Sequence, residues 1–229
     1  MLFRSNFVNG IAAQTILNEV VSSNPSSLNG IMEVAGQKAN LIIANQKGIV
    51  GNGFGFINTD RAILTTGNPV INENGVLTGF SVSEGSIITN GVVNAKDVTY
   101  TDLAYQNTST TSTTGYAIDI SNYGGMHANN IYLVSTDSGL GVRNNAEINS
   151  INNLNITSNG DIQNNASMYS QGNIVLESND SIENTQKDML QIAAAGNVDL
   201  TSQDLINQGK IYSGYNEDGT WKNTGNIKL

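Results

Sequence analysis

The feature that most constrains this chain is a repeat in its second half. The heptapeptide "SNGDIQN" at residues 158–164 returns as "SNDSIEN" at 178–184, and "NNAEINS" at 144–150 returns as "NNASMYS" at 164–170, each after 20 residues. The apolar pairs Leu154/Ile156, Ile174/Leu176 and Val198/Leu200 recur at intervals of 20 and 24. The pattern continues as "NQGKIYS" at 207–213, after an insertion around "QKDML". A unit this short cannot bury a core by itself, so its copies must stack on one another. Leucine-rich repeats have a similar period, but they need a helix or denser leucines.

The rest of the chain follows the same habit. Apolar residues come in short alternating runs, among them "NLIIA", "RAILTT", "NIYLVS", "LNITS" and "NIVLES". Each run is bounded by Asn, Gly, Asp or Ser, the residues that occupy turns. The best helical candidate is "IAAQTILNEVV" at 11–21, but its face of Ile11, Thr15 and Asn18 is half polar, so it reads as extended. An all-β chain follows: a parallel β-solenoid of about 20 residues per coil. Coils in such a stack lie about 4.8 Å apart. Equivalent asparagines then form ladders along the axis, while stacked Ile and Leu fill the interior. At about 1 kcal/mol net per hydrogen bond, a column of ladders accounts for the 35 asparagines.

Composition removes several function classes. Net charge is -9, with ten Lys and Arg and no basic stripe. Nucleic-acid phosphates and anionic membrane surfaces need clustered cations, so neither is an expected partner. With no cysteine, neither a disulfide framework nor a thiolate metal site is possible. No apolar run approaches the ~20 residues of a membrane helix, so no membrane insertion is expected. The opening "MLFRSNFVNG" lacks the apolar core of a secretory leader; either a preceding portion carries an export signal or the chain stays inside the cell.

Residues 16–70, "ILNEVVSSNPSSLNGIMEVAGQKANLIIANQKGIVGNGFGFINTDRAILTTGNPV", resemble the secretion domain of two-partner secretion exoproteins. That family includes filamentous haemagglutinins, large adhesins, Serratia-type haemolysins and contact-dependent growth inhibition proteins. The resemblance extends more loosely to "GVLTGFSVSEGSIITNG" and "VTYTDL", and residues 117–148 look like the lead into the family's haemagglutinin repeats. It implies a right-handed parallel β-helix, recognition by a dedicated outer-membrane transporter through that transporter's periplasmic domains, and folding outside the cell. Asn24, Pro25, Leu28, Asn29 and Gly30 keep the family's "NP…LNG". The family motif "NPNGI" here reads Asn45, Gln46, Lys47, Gly48, Ile49, and "NPNL" reads Ser5, Asn6, Phe7, Val8. A cysteine pair of many relatives is replaced by Gly51 and Phe54. The resemblance thus points to Asn24, Pro25, Leu28, Asn29, Gly30, Asn45, Gly48 and Ile49 as residues of the transporter-recognition surface.

Other candidates have plain structural readings. Gly51, Gly53 and Gly55 are spaced G-x-G-x-G, not as in a dinucleotide loop. "FINTDRAILTT" after them alternates like a strand and opens no helix, so no anion site forms. They are expected to make a corner, with Phe54 or Phe56 plugging the core. His127 is the only histidine and reads as a surface or turn residue. Glu183/Asp188 and Asp199/Asp204 imitate the carboxylates of β-helical polysaccharide enzymes, but they are scattered among turns. Trp221, with Tyr212 and Tyr215, reads as a hairpin-like excursion or as an aromatic patch for a sugar or receptor.

The expected organisation is a secretion domain over 1–103, a Ser/Thr-rich linker or loop over 104–115 and haemagglutinin-type β-helical repeats over 116–229. The expected function is a non-catalytic secretion and stalk segment of a secreted or surface protein of a Gram-negative bacterium. No cofactor or metal is expected. The expected partners are the transporter and, for the full-length protein, a receptor on a host or neighbouring cell. Two rivals stand beside this: an orphaned remnant of such a gene, and a β-helical polysaccharide-active enzyme.

Overall fold

The computed structural model describes residues 2–4, 11–94, 102–107, 116–136, 141–185 and 190–229, without the side chains of 2–4, 102–107, 190 and 191. All of its regular structure is β. The chain winds through three faces, and every coil pairs in parallel with the coils above and below. Thr15–Val20, Ala39–Asn45, Thr59–Thr65 and Asp102–Asn107 begin the first face. The later halves of Gly125–Ser135 and Ile148–Ser158 continue it, followed by Ile174–Ser178, Val198–Thr201 and Ile227–Lys228. The second face runs from the first part of Ser26–Ala35 and of Ile49–Ile57 to Asp204–Asn207. The third carries the remainder of those long strands, then Met168–Ser170, Leu190–Ala194 and Lys210–Ser213. This is the parallel β-solenoid that the 20-residue period requires.

The period shows directly in the register. Val142 pairs with Ile162, Ile148 with Met168, Leu154 with Ile174 and Ile162 with Ile182, each 20 residues on. The insertion around 186–189 lengthens the next coil, so Ile174 meets Val198. Alternate side chains point inward, as a strand's twofold period demands. Two axial rows of the first face, Ile131–Leu154–Ile174–Val198 and Leu133–Ile156–Leu176–Leu200, are sealed from solvent.

Polar rows flank the apolar ones. On the second face Asn144 Nδ2 donates to Asn164 Oδ1 (2.9 Å), Asn164 to Asn184 (3.0 Å) and Asn184 to Asn207 (2.8 Å). Asn144, Asn164 and Asn184 are fully buried. Stacking lets each amide satisfy its neighbour, and that is how such groups are tolerated in a core. Buried serines close the strands. Ser178 Oγ accepts from Asp180 N–H (3.0 Å) and donates to Gly160 O (2.8 Å) one coil away. Ser170 does the same with Gly172 N–H and Asn152 O.

One expectation changes here. His127 is neither at the surface nor in a turn. It lies in the strand Gly125–Ser135, opposite Asn149, and is 8% exposed. The reason is the alternating burial breaking down where that strand begins, so that 125–128 are all buried. The start of the stretch expected as a linker or loop over 104–115 is also described. Strand Asp102–Asn107 crosses its start and pairs with Arg61–Thr65 on one side and Ile131–Ser135 on the other. The stack therefore continues through 104–107; residues 108–115 lie outside those described.

Candidate functional site

The N-terminal coils depart from the regular winding in three connected places. The first is the corner between the first and second faces. Asn45 sits there, 1% exposed. Its Nδ2 donates to Asn24 O (3.0 Å) and to Ser26 Oγ (2.8 Å), and its Oδ1 accepts from Lys47 N–H (2.9 Å). Gly48 has φ +112°, a conformation that side chains rarely adopt, and a Cβ there would meet Ser86 O at 3.0 Å. Ser26 N–H donates to Gly48 O, and Ile49 N–H donates to Ser86 O. Three successive coils are thus tied at one corner by Asn24, Asn45, Gly48 and Ser86.

Of the eight residues that the resemblance singles out, this corner gathers Asn24, Pro25, Asn45 and Gly48. Asn24 and Pro25 are exposed; Asn45, Gly48 and Ile49 are buried. Leu28 is a core residue, 8% exposed. Asn29 and Gly30 lie further along the same strand at a register shift, both exposed. Asn29 Oδ1 accepts from Asn52 Nδ2 (2.8 Å), and Asn52 Oδ1 from Asn90 Nδ2 (3.4 Å), a ladder on the outside of the bend.

The second departure is the glycine stretch. Gly51, Gly53 and Gly55 lie inside the single strand Ile49–Ile57, where it turns from the second to the third face. Gly53 takes φ +85°. The Phe54 ring folds back so closely over Gly51 that a Cβ at Gly51 would overlap it. Phe54 and Phe56, 3% and 1% exposed, pack edge-to-face with centroids 5.8 Å apart. Asn94 Oδ1 accepts from Phe56 N–H (2.9 Å), so the bend is held from the coil below.

The third is a hairpin that sequence reasoning missed. Gly67–Ile71 and Leu77–Val82 pair antiparallel, the one such sheet among the described residues. Its turn is bonded by Asn72, whose Oδ1 accepts from the N–H groups of Asn74 and Val76. The signal was present: Asn72, Asn74 and Gly75 between two β-prone runs. The hairpin leaves the solenoid and lies against the outside of the first face. Ile42 points away from the core, between inward-facing Leu41 and Ile43, yet is only 3% exposed. A cleft of about 500 Å³ remains between the two, with Leu17, Ile42 and Ile63 on one wall and Ile71, Val76 and Leu77 on the other. After the hairpin, Lys47 Nζ pairs with Glu84 (2.6 Å) and Gln46 Nε2 donates to Ser83 Oγ (2.8 Å), which fastens the hairpin's base to the corner.

Chemically reactive groups are not assembled here. Among the described residues no group of three or more His, Asp or Glu is placed to hold a metal. Glu183 accepts from Gln163 on the second face, and Asp199 and Asp204 stand on different faces; Asp188 lies outside the described residues. No helix among them is long and apolar enough to cross a membrane.

Residues 4–109 match the family model of the TPS secretion domain. The chain is 39% identical over 175 residues to the tRNA nuclease CdiA-2 of Burkholderia pseudomallei, covering 62% of this chain and 6% of that protein. It is 40% identical over 182 residues to the toxin CdiA of Yersinia pestis, covering 65% of this chain and 6% of that one. The chain therefore spans a small fraction of these relatives' length. Its fold is similar to the crystal structure of the filamentous hemagglutinin secretion domain, with a TM-score of 0.54 and 26% identity over 94% of this chain and 75% of that one. The corner, the glycine bend and the hairpin all fall within residues 4–109, where the chain matches the TPS secretion domain, and the fold is similar to that of the filamentous hemagglutinin secretion domain.

Proposed function

We propose that the N-terminal coils are the part of an exoprotein that an outer-membrane two-partner transporter recognises through its periplasmic domains, and that the later coils form a non-catalytic stalk. The observation that carries this reading is the corner. Among the described residues it is the place where motif residues from separated stretches, Asn24 and Pro25 with Asn45 and Gly48, meet beside an inserted hairpin. The buried members fix the geometry, and exposed Asn24, Pro25 and Lys47 offer the polar surface a partner would read. The division is a secretion domain over about 1–103, a short junction within 104–115 and haemagglutinin-type coils over 116–229, all on one stack. The protein would be secreted or held at the surface of a Gram-negative bacterium. Any nuclease or toxin activity, and any receptor on a host or neighbouring cell, belongs to a full-length protein and lies outside these coils.

The test is binding of the folded chain to the purified periplasmic domains of a two-partner transporter, alongside secretion from cells that carry it. Replacing Asn24, Pro25 and Lys47 together by Ala should weaken binding by roughly tenfold or more, equivalent to about 1.4 kcal/mol, with little change in unfolding temperature. Unchanged binding by that variant would remove the corner from the interface. A native chain that no such transporter binds or exports would sink the reading as a whole.

A further inference from the structure

The cleft between the hairpin and the outside of the first face plays no part in the corner. The strands behind it, Ala39–Asn45 and Thr59–Thr65, are each paired on both sides, so the cleft belongs to interior coils. Outward positions of a solenoid strand ordinarily face water and carry polar side chains. Here Leu17, Ile42 and Ile63 stack from coil to coil as an outward aliphatic row. Further along the same row the register brings Tyr132, Asn155, Val175 and Asp199, the mixed composition of a wetted face.

A hairpin that served only to cover this row would bury its own apolar side chains against it. Ile42 is covered, but Ile71 and Val76 on the opposite wall remain 56% and 55% exposed, although both line the cleft, as Leu77 does. Two aliphatic walls thus face each other across about 500 Å³, a volume within the ~300–1,000 Å³ of small-ligand sites. Water there meets few polar partners. Three coils about 4.8 Å apart give the trough a length of roughly 10 Å. Polarity gathers on one side of it. Asn40 and Arg61 stand two positions before Ile42 and Ile63 in their strands, and both line the cleft. Among the described residues Arg61 is the only charged one that does so, in a chain where acidic residues outnumber basic ones by 19 to 10. Its guanidinium lies over the Tyr132 ring, 5.8 Å from the centroid, and its five N–H donors can serve a resident contact and a ligand together.

We propose that this cleft binds a single medium-chain alkyl carboxylate, with its hydrocarbon chain between the row Leu17–Ile42–Ile63 and the hairpin, and its carboxylate at Arg61 and the Asn40 amide. The lining selects the class. Its apolar part is aliphatic, with no aromatic ring among the described residues, which suits a saturated chain and offers no platform for a sugar or a planar ligand. A guanidinium beside that chain suits a carboxylate, which it binds through paired N–H groups. Both walls are held without a ligand. Asn72 bonds the hairpin's turn, and Lys47–Glu84 and Gln46–Ser83 fasten its base, so little ordering entropy is lost on binding. The site does not depend on transporter recognition, and neither reading falls with the other.

Isothermal titration of the chain with decanoate, kept below its micelle concentration, tests this. One saturable site is expected. Decyltrimethylammonium has the same chain and the opposite charge, and should bind at least about tenfold more weakly. Val76→Asp puts a carboxylate on an exposed side chain of the wall and should weaken decanoate binding by at least about tenfold. Asn68→Asp adds the same charge to the same hairpin outside the lining, and should bind as the native chain does. Arg61→Gln should weaken decanoate by at least about tenfold and leave decanol binding unchanged, which separates the head from the chain. Circular dichroism of each variant should match the native chain. No saturable heat with decanoate overturns the proposal. So does equal binding of the cationic amphiphile, undiminished binding by either cleft variant, or an equal loss in Asn68→Asp. Cosedimentation with phosphatidylglycerol vesicles while decanoate stays inert would make this face a contact for a lipid surface, and would overturn it too.

Discussion

The early coils and the later coils solve the same stacking problem differently. From 141 to 184 the register advances by a constant 20 residues, and inward-facing side chains meet their like: Asn on Asn, Ser on Ser, aliphatic on aliphatic or Met. From 15 to 94 the coils vary in length, bulges interrupt the pairing at Leu28/Gly30 and Ala39/Leu41, and a hairpin is inserted. There the buried ties are individual knots, such as Asn45 on Asn24 and Ser26, and the asparagine ladder Asn29–Asn52–Asn90 runs along the exposed outside of the bend. A ladder distributes its energy over many equal members and gives a rod. A knot concentrates it at one place and gives a surface with a particular shape, which recognition needs.

Replacing a glycine at a regular stacked coil and one at the bend should separate those two settings most strongly. Gly141 and Gly172 have ordinary backbone angles, but a Cβ on either would overlap the backbone of the neighbouring coil at Asp161 and Asn152. Two stacked coils would have to part. Gly141→Ala should cost roughly 3 kcal/mol or more, the range of severe overpacking. Gly53 has φ +85° with open space around its Cβ position. Gly53→Ala should cost only about 1–2 kcal/mol, the ordinary cost of the left-handed region. Urea unfolding of both variants checks this, and equal losses would mean that the halves do not differ as described.

Asparagine replacements should show a smaller contrast in the same direction. Asn164 is a middle rung, so Asn164→Ala leaves both the Asn144 amide and the Asn184 carbonyl without their partner in a dry interior. At about 1–3 kcal/mol per orphaned group, a loss of roughly 2–4 kcal/mol is expected. Asn45→Ala frees groups at a corner where exposed Asn24 can turn to water, so about 1–2 kcal/mol should suffice. Differential scanning calorimetry would rank them. If Asn45→Ala proved the costlier, the corner and not the ladder would be the stiffer device.

How much of this the sequence revealed follows from the same contrast. The rod was legible because a constant offset makes equivalent positions visible in one dimension: Leu154/Ile156 over Ile174/Leu176 is both the repeat and the core. The early coils were legible chiefly through their resemblance to a family, since no offset survives insertions of unequal length. Individual roles were harder to see. His127 was misplaced because a lone polar residue carries no periodic signal and its strand begins with four buried residues in a row. The hairpin went unnoticed because its strands look like any other short runs; only pairing direction distinguishes them. Buried serines at the strand ends were hidden in a chain already rich in exposed serine.

The smallest expected effect concerns the excursion over residues 214–226, where a turn depends on one carboxylate. Hydrogen bonds from the Thr220 hydroxyl and N–H hold the Asp218 carboxyl below its ordinary 3.8. A group lowered in the folded form stabilises it fully above the ordinary value, and the contribution is lost as pH falls through the lower folded value. From neutrality down to about pH 5 this group should therefore leave the turn unchanged, and only below its ordinary value should protonation release Thr220. Asp218 is fully exposed, so the effect is local and small beside a lost rung or an overlapping glycine. Trp221 emission should drift red in the acid range while the β-sheet circular dichroism holds, and Asp218→Asn should abolish that drift. If the two signals moved together, the excursion would share the cooperative unfolding of the coils beneath it, and its turn would owe its order to the third face and not to its own hydrogen bonds.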